Sequence, residues 1–105
     1  GSNYSDMKIY YIKDGILKLS SFIDNGEITN SVLTYSSRNL FFKQLENNVF
    51  ETSTYNNSEF GGGRIGFYIA TRKFDIDSGK FTYISSRFME TDDYFNYVNQ
   101  AVGVN

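Results

Sequence analysis

Three stretches of this chain, and its scattered acids, carry residue types that could do chemistry. Gly61-Gly62-Gly63-Arg64-Ile65-Gly66 satisfies G-x-G-x-x-G, a pattern whose glycines let backbone approach a pyrophosphate at a helix N-terminus. Asp75-Ile76-Asp77-Ser78-Gly79 resembles the opening of a calcium loop, where alternate side-chain oxygens face the cation. Twelve Asp and Glu residues could supply a carboxylate pair for glycoside hydrolysis. Tyr55–Arg64, reading YNNSEFGGGR, mixes aromatic anchors with small hydrogen-bonding residues and an Arg, the composition of an adaptable recognition surface.

Each pattern must be placed on an element before it means anything. The dinucleotide motif needs a strand before it and a helix after it, whereas here a polar loop precedes and a strand-like run follows. The kinase form does lie between strands, and Lys73 follows downstream, but a kinase needs a far longer chain and a catalytic loop. The reading is a loop leading into a strand, its glycines permitting a bulge or a close backbone approach. The calcium loop requires Gly at its sixth position and Glu at its twelfth; Gly79 stands fifth and Ser86 twelfth, so a hairpin turn is expected. Asp92 and Asp93 suit the positive end of a helix, while Glu51 and Glu59 read as strand and loop surface. Asn3-Tyr4-Ser5 and Asn56-Asn57-Ser58 fit the glycosylation pattern, which arises readily by chance in a chain rich in Asn and Ser.

Composition narrows the chemistry further. The 105 residues contain no His and no Cys, which removes Ser-His-Asp and Cys-His catalysis, disulfides, thiolate chemistry and cysteine zinc sites. Ten basic against twelve acidic residues leave a formal net charge of −2, so no surplus favours nucleic acid or anionic membranes. Arg72, Lys73 and Arg87 could form a local basic patch, but scattered surface charge is the expectation. No apolar run approaches the ~20 residues of a transmembrane helix. Gly1-Ser2 reads as a cloning scar, leaving 3–105 as a single β-rich domain. A native start at Asn3 would imply a removed leader and a periplasmic or secreted protein; a native start at Met7 would imply none.

The elements that position these residues are mostly strands. Ile65–Phe88 is a hairpin: two alternating aromatic and β-branched arms joined by Asp75–Gly79. Upstream, Lys8–Ile12, Ile16–Ile23 and Glu27–Tyr35 form a meander, turning at Asp14-Gly15 and Asn25-Gly26. Tyr10, Tyr11, Gly15, Leu17, Lys18, Phe22, Asn25, Gly26 and Ile28 give this part a rhythm that resembles MORN-like repeats associated with toxin–antitoxin systems. The rhythm does not recur downstream, so a generic hairpin pair accounts for it and a repeat array is not expected. Arg38–Phe42 and Val49–Thr54 are further strands, with a turn over Leu45–Asn48. Tyr94, Tyr97, Val98 and Ala101 fall at helical spacing, so Thr91–Val102 is a short helix, with Thr91 as N-cap and Gly103 past its end.

These readings predict a β-rich fold: a seven-strand antiparallel meander, curled or barrel-like, with a C-terminal helix. The function expected is a non-enzymatic binding module acting by protein–protein contact, such as a small bacterial or phage inhibitor, immunity or accessory protein. Its site would be Tyr55, Asn56, Asn57, Phe60 and Arg64. No cofactor or metal is expected, and the partner is another protein. The alternative is a small-ligand carrier with an aromatic-lined barrel interior.

Overall fold

The central hairpin organises the molecule. In the computed structural model, which describes residues 4–35, 42–57 and 65–101, the chain forms ten strands and one helix among those residues. In chain order the strands are β1 (Tyr4–Met7), β2 (Tyr10–Lys13), β3 (Ile16–Leu19), β4 (Ser21–Asp24), β5 (Glu27–Thr29), β6 (Val32–Tyr35), β7 (Phe42–Glu46), β8 (Val49–Asn57), β9 (Ile65–Asp75) and β10 (Lys80–Glu90). Helix α1 (Thr91–Ala101) follows β10 without a loop, and Gly103 lies outside the described residues. The expected hairpin is β9–β10, and its tip turns through Gly79 at φ 71°, where the Gly79 N–H donates to the Asp75 carbonyl at 2.7 Å.

The single meander is not what forms. The strands divide into a six-stranded sheet of order β5-β4-β10-β9-β8-β7 and two ribbons, β1-β6 and β2-β3, and none of the three closes. The large sheet is mixed, because β4 runs parallel to β10 while its other pairs are antiparallel. The reason lies at Ser20, where the expected Ile16–Ile23 strand breaks. Ser20 is buried; its N–H and its hydroxyl both donate to the Ile9 carbonyl, at 2.9 and 2.7 Å. The next residue, Ser21, donates its N–H to the Gly79 carbonyl at 2.9 Å. The chain thus exchanges β2 for β10 as its partner at one residue. Glu27–Tyr35 splits in the same way at Asn30-Ser31, and its second half pairs with β1, a strand the sequence reading did not contain. The expected strand Arg38–Phe42 is described only at Phe42, which opens β7; Leu45 and Glu46 belong to β7, leaving Asn47-Asn48 as the turn, with Asn48 at φ 63°.

Register and alternation sort the sheet's side chains onto two faces. Glu51 and Ser53 of β8, Phe67 and Ile69 of β9, and Arg87 and Met89 of β10 share the face that carries α1. There Phe67, Ile69, Tyr94 and Val98 form a buried core, with the Tyr94 ring stacked on Phe67 at 3.6 Å between centroids. Phe22, Phe74 and Phe81 occupy the opposite face, and Ile9, Tyr11 and Val32 pack over them from the ribbon side. Two cores on one open sheet explain why strands carry apolar residues on both faces. A barrel is not needed.

The last glycine of the G-x-G-x-x-G run has a packing role. Gly66 sits in β9, and a Cβ there would stand 2.2 Å from the Met89 carbonyl oxygen and 2.7 Å from the Phe88 ring. Gly66→Ala is therefore expected to cost about 2–3 kcal/mol, read as a fall in Tm of roughly 10 °C in thermal denaturation. An unchanged Tm would mean that β9 and β10 can separate freely here.

Candidate functional site

Three of the five residues expected to form the site lie on a strand. Tyr55, Asn56 and Asn57 are the last residues of β8, paired with Phe67, Gly66 and Ile65. Tyr55 is half-buried, its ring edge-on to Phe67 at 5.2 Å. Phe60 and Arg64 lie outside the described residues, as do Gly61–Gly63. Asn is a poor strand former, but the long β9 arm offers a ladder that carries β8 two residues past Tyr55.

The calcium-like segment is a turn closed on itself. The Asp75 carboxylate accepts from the Ser78 hydroxyl at 2.8 Å and the Asp77 N–H at 3.3 Å, and the Ser78 hydrogen bond holds its carboxyl below the usual range. Among the described residues no group of three or more Asp or Glu side chains is placed to hold a metal ion.

The basic residues do not form one patch. Arg72 lies on the ribbon-side face, buried, with a bidentate hold on Asp24 (2.5 and 3.2 Å) and a hydrogen bond to Thr52 Oγ1 at 3.0 Å. Arg87 lies on the helix side. Its Nη1 donates to Glu51 Oε2 at 2.6 Å, and the Tyr97 hydroxyl donates to Oε1 at 2.5 Å. Lys43 Nζ donates to the same Tyr97 hydroxyl at 3.2 Å. Glu51 was expected at the strand surface, yet its side chain is 3 % exposed. Both of its oxygens are engaged by donors, and Glu51 raises the Arg87 pKa further above its ordinary value. This cluster ties α1 to the sheet.

Comparison with known proteins finds no family model, curated protein or solved structure that matches this chain.

What stands out chemically is the β2–β3 ribbon. Its register pairs Tyr10 with Leu19 and Ile12 with Leu17 on one face, and Tyr11 with Lys18 and Lys13 with Ile16 on the other. Tyr11 turns inward to meet Phe74 edge-on at 5.3 Å. Tyr10, Ile12 and Leu17 remain 55, 67 and 66 % exposed, with Leu19 at their border. Four large apolar side chains in two cross-strand pairs form a contiguous exposed patch, which soluble chains seldom leave without a use. Lys8 precedes it without an ion-pair partner among the described residues; Lys13 and Lys18 belong to the other face, where Lys13 reaches Asp77 at 3.6 Å. The signal in the sequence was the doublet Tyr10-Tyr11: one must face in and the other out. Only the position of the ribbon shows that nothing among the described residues covers the outer one.

Proposed function

We propose that this chain is a non-enzymatic protein-binding module that docks through the outer face of the β2–β3 ribbon. The carrying observation is the exposed Ile12–Leu17 pair flanked by Tyr10 and Leu19. A central apolar cluster with an aromatic member is the usual anatomy of an interface hot spot. Lys8, just before β2, has no ion-pair partner among the described residues, so the surface fits a partner whose apolar patch carries a carboxylate at its rim. An inhibitor, immunity or accessory role would operate through such a contact. The alternative of a carrier lacks its barrel: the large sheet is open, and Phe22, Phe67, Phe74 and Phe81 are packed in cores.

The test begins with the double substitution Ile12→Asp with Leu17→Asp. Both sites are exposed, so stability should change by only about 1 kcal/mol. Binding to the partner captured and purified with the wild-type chain should weaken by roughly a hundredfold or more in calorimetry. Lys8→Glu should slow association and flatten its salt dependence. Unchanged affinity in the double variant overturns the reading. So does co-sedimentation of the wild-type chain, but not the variant, with anionic phosphatidylserine vesicles, which would make the surface a lipid contact.

A further inference from the structure

On the helix-bearing face of the large sheet, beyond the α1 core, an open groove of about 510 Å³ lies between the Asn47-Asn48 turn and the β9–β10 tip. Two strands, β9 and β10, and two turns build it. Asn48, at φ 63°, accepts the Phe74 N–H on its carbonyl at 2.7 Å, which fixes the turn against β9. Lys73 and Thr82 face one another in register across β9 and β10 and line the groove together. Two residues on, the pairing shifts between Tyr83 and Ser85, so Ile84 is the extra residue of a β-bulge. Bulges re-aim side chains, and this one adds Ile84 to the wall alongside Ile76 from the tip.

The groove is thus apolar at Ile76 and Ile84 and donor-rich at Lys73, Thr82 and Asn48. The Lys73 ammonium has no ion-pair or hydrogen-bond partner among the described residues. The acid lining the groove, Asp75, has its carboxylate turned into its own loop by the Ser78 hydroxyl, and Lys80 stands opposite it in register. A cation, two neutral polar groups and two branched aliphatic side chains therefore share one open groove. Its size lies within the range of small-molecule sites.

We propose that this groove binds a small amphipathic carboxylate, such as a short fatty acid, with its carboxylate on Lys73 and its hydrocarbon on Ile76 and Ile84. Thr82 and the Asn48 amide supply the neutral donors that complete a carboxylate's hydrogen bonding. This site lies apart from the β2–β3 ribbon, and neither reading depends on the other.

The probe is sodium octanoate, titrated into the full ¹⁵N-labelled chain while backbone amide shifts are followed. Saturable shifts are expected at Lys73, Ile76, Thr82 and Ile84. Lys73→Gln should weaken binding about tenfold, as loss of one charge-assisted contact implies. Octanamide, with the same chain and no charge, should bind the wild-type protein as weakly as octanoate binds that variant. Ile84→Ala should weaken octanoate and octanamide alike, and the Ile12→Asp with Leu17→Asp protein should retain the full response. Non-saturating shifts, shifts mapping to the β2–β3 ribbon, equal affinity for acid and amide, or indifference to Lys73→Gln would each overturn the proposal.

Discussion

Replacing Tyr94 with Ala is expected to release α1 from the sheet and to destabilise the protein by about 3–5 kcal/mol. Tyr94 is fully buried, stacked on Phe67 and edge-on to Phe95 at 5.4 Å. Its hydroxyl and that of Ser53 share a buried hydrogen bond of 2.7 Å. An eleven-residue helix is marginal alone in water, so its persistence depends on this docking. Truncation to Ala removes the ring and leaves a cavity over Phe67 and Ile69. Urea unfolding followed by circular dichroism should show both a lower midpoint and early loss of the helical signal. Tyr94→Phe keeps the ring but leaves the Ser53 hydroxyl without this partner, for a cost of about 1–2 kcal/mol.

The same residue gives a pH dependence. Burial pushes the Tyr94 hydroxyl above its ordinary pKa of 10.0, because the phenolate is disfavoured away from water, and the Ser53 hydrogen bond only partly offsets this. A group whose folded pKa is raised contributes its full stability below the unfolded pKa and loses it as pH rises toward the folded one. Stability should therefore decline above about pH 10 in the wild-type protein. Tyr94→Phe should decline less steeply over that range. Parallel alkaline curves would remove Tyr94 as a cause.

The second large effect is expected at the Glu51 network, and it should be asymmetric. Arg87→Ala strips Glu51, whose side chain is 3 % exposed in the wild-type protein, of its charged partner, at an expected cost of about 3 kcal/mol or more. Glu51→Gln leaves the charge on Arg87, whose side chain is 43 % exposed and can turn to water. The cost there should be about 1 kcal/mol. Equilibrium unfolding of the two variants tests the order directly. If Glu51→Gln were the more damaging, the network's worth would lie in the Tyr97 hydrogen bond and not in the ion pair.

These residues also show where sequence reading stops. Glu51 looked like a surface position because its donors lie 36 and 46 residues downstream, at Arg87 and Tyr97. Nothing near Glu51 in the chain announces them. The same holds for Arg72, whose acceptor Asp24 lies 48 residues upstream. Tyr55–Arg64 had the composition of a recognition loop, but composition does not report that β9 would extend its ladder to Asn57.

Local chemistry was legible at the tight turns, the central hairpin and the helix. Asp14-Gly15 and Asn25-Gly26 both turn with positive φ at each residue, 53° and 76°, then 52° and 80°, the geometry these dipeptides favour in hairpins. The β9–β10 arms and the helix starting at Thr91 followed from periods of two and 3.6, because a side chain's direction along a regular element depends only on its neighbours. Which strand pairs with which, and which face is covered, depends on contacts between distant residues. Ser20 illustrates the difference: as a small polar residue inside an apolar run it gives no sign of breaking the strand. Once its N–H and hydroxyl meet the Ile9 carbonyl and Ser21 meets Gly79, the meander becomes a mixed sheet with ribbons on one face. That exchange leaves Tyr10, Ile12, Leu17 and Leu19 facing outward.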